Sequence, residues 1–297
     1  MISRRSFLKT TSFASAAMLA APAFAGSLRK KTDIGVQLYT VRDLMGKDPA
    51  GTLTKVAAIG FTTVEGATYT GSEKFYGMDS KEFAALLKTN GLWMPSAHYR
   101  LGEDKEGKNE APKGTMLNDW QKAVDDAAAV GIKYMVCAWL SPNERGNLDH
   151  YKALAGHLNT AGETCKKAGI QMCYHNHDFE FEKQGDLYPY DVVMTNTDKD
   201  LVKFEMDLYW VTRANQDPVA LFEKYPKRFP LLHMKDMDKT LKKAFTEVGN
   251  GVIDFKKILA HKEKAGMKYF FVEQDICPGN PLDSIKISYD YIKANLV

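Results

Sequence analysis

Four cysteines are scattered through 297 residues, and no two stand as C-x-x-C. Cys137, Cys165, Cys173 and Cys277 therefore exclude a zinc ribbon or a thioredoxin-like motif, and Cys137 and Cys173 fall in apolar runs where a buried thiol is expected. No G-x-G-x-x-G or P-loop run opens a helix, which argues against a dinucleotide-binding or nucleotide-hydrolysing chain. Past residue 25, no apolar stretch approaches the roughly 20 residues that span a bilayer. A surplus of charge is missing as well. The formal +3 comes from Arg4, Arg5 and Lys9 alone, because the first 25 positions hold no acid. The balanced remainder gives no electrostatic footprint for nucleic acid or an anionic membrane.

What is present begins with those three cations. Ser3-Arg4-Arg5-Ser6-Phe7-Leu8-Lys9 precedes an Ala-rich apolar run from Phe13 to Ala21 and the small-x-small stretch Ala23-Phe24-Ala25. A basic start, a short apolar middle and such an ending read as an export signal, and the arginine pair resembles the twin-arginine type. Residues 1–25 are expected to be cleaved off. Residues 26–297 are expected to form one catalytic domain in the periplasm, free of the membrane and compatible with a homo-oligomer.

From Thr32 onward, strand-like and helix-like segments alternate. Strands are expected at Ile34–Tyr39, Thr63–Glu65, Met94–His98, Tyr134–Trp139, Ile170–Tyr174, Val202–Met206, Pro230–His233 and Tyr269–Val272. Helices are expected over Asp48–Ile59, Lys81–Lys88, a segment marked by Leu117, Trp120, Val124 and Ala127, the stripe Tyr151, Leu154, Leu158, Ala161 and Cys165, and then Pro218–Lys224, Phe255–Lys264 and Pro281–Ala294. The stretch after the fifth strand, Asp178 to Asp200, has little helical periodicity. Eight such units in this length favour a closed (βα)8 TIM barrel, an α/β fold, over an open sheet. Two polar segments, Arg100–Lys113 and Asp178–Pro189, would lie over the C-terminal face as loops.

Four runs in the second half end in metal-capable residues: Tyr174-His175-Asn176-His177, Glu205-Met206-Asp207, Leu232-His233-Met234-Lys235-Asp236 and Val272-Glu273-Gln274-Asp275. In parallel strands these ends share one face, so groups far apart in sequence converge. Asp207, His233 and Glu273 on successive strands point to a metal site more strongly than any of them does alone. His175, His177 and Glu180 remain open as the fourth ligand. Glu65 and His98 end earlier strands and are candidates for acid/base work, as are Lys235 and His177. Lys235 has a second reading as the ion-pair partner of Asp236. Lys239, Trp139, Trp210, Phe179 and Tyr39 are candidates for contacts to a substrate.

These runs resemble the xylose isomerase-like TIM barrels, in particular the sugar phosphate isomerase/epimerase branch. The resemblance is carried by Tyr174-His-Asn-His-Asp-Phe-Glu-Phe181, Met206-Asp-Leu-Tyr-Trp210, His233-Met-Lys-Asp236, Glu247-Val-Gly-Asn-Gly-Val-Ile-Asp-Phe255 and Val272-Glu273. It implies one divalent metal held at the ends of the fifth to eighth strands, commonly by Glu, Asp, His and Glu. The matching positions here are His175, Asp207, His233 and Glu273. His175 departs from the glutamate of the ketose epimerases, and Trp210 stands where those enzymes often have histidine. The histidine-rich run is closer to the inosose dehydratase-like branch.

Two carboxylates with one or two imidazoles suit Mn²⁺, Co²⁺, Mg²⁺ or Zn²⁺. A metal that polarises a carbonyl acidifies the neighbouring C–H, and the resulting enediolate can be isomerised, epimerised or lose a β-oxygen. The expected activity is a metal-dependent isomerase or epimerase on a sugar or keto-sugar. The alternative is a lyase or dehydratase on a keto-sugar, keto-glycoside or inosose. An endonuclease IV-like nuclease would need a site richer in histidine and a basic surface, and a non-catalytic sugar-binding barrel would have no need for Asp207, His233 and Glu273.

Overall fold

The computed structural model describes residues 33–72, 74–102 and 111–297. The export signal expected over residues 1–25 and the middle of the Arg100–Lys113 segment lie outside these. Eight parallel strands close a barrel: β1 (Gly35–Gln37), β2 (Thr63–Gly66), β3 (Trp93–Tyr99), β4 (Tyr134–Cys137), β5 (Gln171–His175), β6 (Val202–Asp207), β7 (Leu231–Met234) and, after a small hairpin of β8 (Asp236–Met237) and β9 (Phe245–Thr246), β10 (Tyr269–Val272). β10 pairs with both β7 and β1, which leaves the barrel sheet without an edge. Among the described residues, no helix is long and apolar enough to cross a membrane.

Local chemistry sets the helix starts. Asp48 accepts the Gly51 N–H at 2.9 Å, Asp79 and Glu82 form a reciprocal capping box, and Asn147 caps the long helix Leu148–Lys167. Apolar faces of these helices pack on the outer surface of the barrel and make the main core. The interior is filled separately, by Val136, Cys173, Leu231 and Phe271 with Tyr134 and Tyr269 against them. Gly35 is required beside this plug, since a Cβ there would lie 2.5 Å from Phe271. Above the plug the inward positions turn polar, and there the site begins.

Several elements differ from expectation. The stretch after β5 does form a helix, Pro189–Asn196, but its Pro189, Tyr190, Val192, Val193 and Met194 are all buried, so it shows no amphipathic stripe. A further short helix, Leu208–Arg213, starts directly at the end of β6. Leu117 lies in a loop and is exposed, because the helix begins only at Trp120 after Asp119 at φ 60°. β4 ends at Cys137, leaving Trp139 on the rim. The helix expected over Phe255–Lys264 breaks at His261.

Candidate metal centre and active site

The register of the last strands brings four side chains together. Asp207 ends β6 directly opposite His233 on β7, His175 ends β5, and Glu273 follows β10 with its N–H bonded to the Met234 carbonyl. One donor atom from each lies within 4.8 Å of the other three, and all four residues are buried. His175 Nε2 is 3.2 Å from His233 Nδ1 and 3.5 Å from Asp207 Oδ2; His233 Nδ1 is 3.0 Å from Glu273 Oε2 and 3.8 Å from Asp207 Oδ2. Metal–ligand bonds of about 2.0–2.1 Å at tetrahedral angles separate donor atoms by about 3.3 Å, a spacing these residues could close around an ion.

The hydrogen bonds behind the quartet agree with that reading. His233 Nε2 is 2.6 Å from Glu65 Oε2. A carboxylate there takes the Nε2 proton and leaves the Nδ1 lone pair facing the other three ligands, the usual support of a metal-bound histidine. Asp207 divides its oxygens: Oδ1 accepts the Trp210 N–H at 3.0 Å, which caps the following helix, while Oδ2 turns to the quartet. Asn176 accepts the Asp207 N–H and ties the ends of β5 and β6 together.

Glu65 and His98 stand beneath the quartet. Gln37 donates to Glu65 Oε2 at 2.9 Å, and His98 Nε2 lies 2.9 Å from Glu205 Oε2. Burial works against a charged His98, but Glu65 and Glu205 together raise it to about 9. Burial likewise opposes ionisation of Glu65, yet His98 and His233 hold its carboxyl well below the usual range. His98 still reaches the cavity floor, whereas Glu65 is sealed under His233.

Lys235 is fully buried, with its Nζ 2.7 Å from Glu273 Oε2, 3.1 Å from Asp207 Oδ2 and 2.8 Å from Asp275 Oδ1. Burial alone would neutralise it; those three carboxylates keep it well above the ordinary lysine value. It is therefore a fixed positive charge. Its expected partner Asp236 is engaged elsewhere, accepting backbone N–H bonds from Met237, Gly249, Gly251 and Ile253. Gly251 has to be glycine for that wrap, as a Cβ would meet Asp236 at 2.2 Å.

Of the three residues left open on the fifth-strand run, His175 joins the quartet. His177 lines the cavity beside it, and its Nδ1 has no hydrogen-bond partner among the described residues. Burial first, then the charges of His175 and Lys235, hold its pKa well below the ordinary histidine value. Glu180 is turned away: Tyr174 Oη donates to it at 2.6 Å and the His177 N–H at 2.9 Å, and burial pushes it up to about 7. It pins the turn that carries His177 and Phe179.

The cavity above the quartet has a volume of about 610 Å³, and Tyr39, Trp139, Phe179 and Trp210 all line it. Lys239 does not. The β8–β9 pairing carries residues 238–244 out to solvent, where the Asp238 side chain accepts the Thr240 and Ala244 N–H groups and Lys239 is exposed. Gln37, Glu205, Asp275, Asn176 and Arg145 were not singled out from sequence. Glu205 had a signal, standing two residues before Asp207 and so on the same side of β6.

Comparison with known proteins bears on this geometry. The sequence model of the xylose isomerase-like TIM barrel family matches residues 53–294. The inosose dehydratase of Clostridium beijerinckii is 29% identical over 166 residues, which is 50% of this chain and 55% of that protein, so the chain spans about half the length of such curated relatives. A solved sugar phosphate isomerase/epimerase from Parabacteroides distasonis superposes with a TM-score of 0.76 at 29% identity, covering 93% of this chain and 99% of that one. A structure of the IolI protein with a bound zinc atom shares the fold, with a TM-score of 0.69 at 13% identity, over 88% of this chain and 97% of that one.

Proposed function

We propose that this chain, which belongs to the xylose isomerase-like TIM barrel family, is a divalent-metal-dependent isomerase or epimerase acting on a sugar or keto-sugar in the periplasm. The observation that carries the reading is the donor spacing of His175, Asp207, His233 and Glu273 with the unpartnered imidazole of His177 on the cavity wall beside them. The zinc atom in the IolI structure is a precedent for a metal in this fold. Bound by the quartet, the ion would act as a Lewis acid on a substrate carbonyl and lower the pKa of the adjacent C–H.

The protein's own groups do the rest. His177 lines the cavity beside the quartet and is the group that would take up the proton, its basicity reduced by burial. Lys235 cannot easily release its proton; its fixed charge offsets the negative charge that develops on substrate oxygens. Trp210 lines the cavity and offers a ring face to a sugar. Return of the proton to the neighbouring carbon isomerises the substrate, and delivery of a proton to the opposite face by a second group would epimerise it.

Elimination from a keto-sugar or inosose is the second reading, favoured by Asp275. It lines the cavity, held by Lys235 at 2.8 Å, and burial pushes its carboxyl above the usual aspartate value, which makes it the cavity carboxyl placed to receive and pass on a proton at a departing hydroxyl. The inosose dehydratases among the relatives point the same way. Incubating metal-replete protein in D₂O with sugars and keto-sugars, read by NMR, separates the readings. Deuterium at a carbon next to the carbonyl in a recovered isomer supports the first, and an unsaturated product supports the second. No exchange with any sugar would remove both. Export belongs to the same proposal: replacing Arg4 and Arg5 with lysine should hold the precursor in the cytoplasm, and efficient export of that variant would rule out the twin-arginine route.

A further inference from the structure

A stacked column of side chains runs along the cavity wall away from the quartet. His177 meets His175 edge-on, with centroids 5.0 Å apart and an interplanar angle of 69°. Phe179 lies parallel to His177 at 8° and 5.3 Å, and the Arg145 guanidinium sits over the Phe179 ring, 3.8 Å from its centroid. All four residues line the cavity. Both turns of the column are pinned from below. Glu180 holds the Phe179 turn, and the buried Glu144 carboxylate accepts the Ser141 and Gly102 N–H groups, at 2.6 and 3.1 Å, under the Pro142–Arg145 turn. Arg145 is therefore placed by built structure.

Among the described residues, no carboxylate lies within ion-pair reach of the Arg145 guanidinium. The two cavity-lining aspartates are engaged, Asp178 by Arg213 at 3.4 Å and Asp275 by Lys235 at 2.8 Å. A second guanidinium, Arg100, lines the same cavity. With one face on Phe179, Arg145 keeps its edge N–H groups for a planar acceptor, the fork that matches a carboxylate bidentately. A phosphate accepts the same fork, but the backbone amide of Ser141 that could add to a phosphate cradle is taken by Glu144, and the glucose 6-phosphate arm of the test below separates the two.

We propose that Arg145 recognises a carboxylate on the part of the substrate remote from the quartet, so that the substrate class is an acidic sugar, a uronate or a saccharide bearing one. The assignment rests on the carbohydrate reading above and narrows it. The test is calorimetric binding of D-glucuronate, D-glucose and D-glucose 6-phosphate to metal-replete parent, Arg145→Met and Arg145→Lys proteins, with metal content measured on each sample. The parent should bind glucuronate at least about tenfold more tightly than glucose, the scale of a charge-assisted hydrogen-bonded pair. Arg145→Met keeps the apolar contact with Phe179 and should erase that margin without changing metal content or glucose affinity. Arg145→Lys should retain only part of it, having lost the fork. Equal affinities in the parent, or a margin that survives Arg145→Met, would overturn the assignment. A margin that survives Arg145→Met but disappears on chelation would overturn it too, by putting the carboxylate on the metal. Stronger, Arg145-dependent binding of glucose 6-phosphate would overturn the choice of carboxylate. A parent that retains no metal yet shows an Arg145-dependent margin would keep this assignment and remove the metal centre.

Discussion

The barrel interior holds two polar layers built from the same residue types. The upper one is His175, Asp207, His233 and Glu273, whose donor atoms face one another across a shared space. The lower one is Gln37, Glu65, His98 and Glu205; donor atoms of the last three and of His233 also lie within 4.8 Å of one another, but around hydrogen bonds that Gln37 and the imidazoles already fill. Glu205 and Asp207 are two residues apart on one strand, a difference of about 6.6 Å in height along it. At the upper level Glu273 meets the cavity; one step lower Glu65 meets the His233 imidazole and accepts its Nε2–H.

Asp207→Asn and His233→Ala test the upper layer and should have the largest effects. Each removes a donor with nothing to replace it, which should lower metal affinity by roughly a thousandfold or more and abolish turnover. Metal content after dialysis, with circular dichroism to show that the barrel stays folded, checks this. Full metal retention and unchanged activity in Asp207→Asn would collapse the distinction between the layers.

Glu180 shows that lying near the upper layer does not make a residue a ligand. Its folded pKa of about 7 stands above the ordinary value of 4.5, chiefly through burial. For an acid raised in this way, stability is fully present below about pH 4.5 and is lost as pH rises through about 7. The full swing is about 3 kcal/mol. Chemical denaturation of the parent from pH 4 to 8 should show this decline, and Glu180→Gln should flatten it. A slope unchanged in Glu180→Gln would mean that another group titrates there.

Glu65→Gln probes the lower layer. The amide oxygen can still accept the His233 Nε2 proton, but the carboxylate charge that raises the imidazole's basicity is gone. Metal affinity should fall about 10- to 100-fold, with the fold intact. Competition against a chelator of known affinity measures it. A loss as large as that of His233→Ala would make Glu65 a ligand in its own right and erase the difference in depth.

How far this was legible from sequence follows from the same layering. Strands alternating with helices are written in period and punctuation, so eight strands closing a barrel could be read. The convergence of the quartet could be read because polar groups at strand ends leave a repeated pattern of apolar run followed by a polar terminus. Glu65 and His98 look identical in that pattern, and nothing local says that one is sealed under His233 while the other reaches the cavity floor. Height in a barrel depends on stagger between strands, such as the irregular register between Thr63 and Glu65 in the pairing of β2 with β3, which is not a local property. Asp236 was opaque for a related reason. Its partners are backbone amides 13 to 17 residues later, at Gly249, Gly251 and Ile253, and amides carry no sequence signature.

Lys239 and Lys235 make the smallest test and the cleanest pair, because they stand four residues apart on the segment after His233. From sequence both are cations near a candidate ligand. In the fold, Lys235 is buried against three carboxylates, while Lys239 sits on the solvent side of the hairpin between Met237 and Phe245, outside the cavity lining. Lys239→Ala should leave metal content and kcat/KM within about twofold of the parent and stability within about 0.5 kcal/mol, as for other exposed positions away from caps and networks. Lys235→Met, by contrast, would leave Asp207, Glu273 and Asp275 facing one another without a cation, and should lose activity even if metal binding strengthens. A drop of tenfold or more in kcat/KM for Lys239→Ala, with normal metal content, would show that the hairpin folds over bound substrate, and Lys239 would then join the site from which its exposure now separates it.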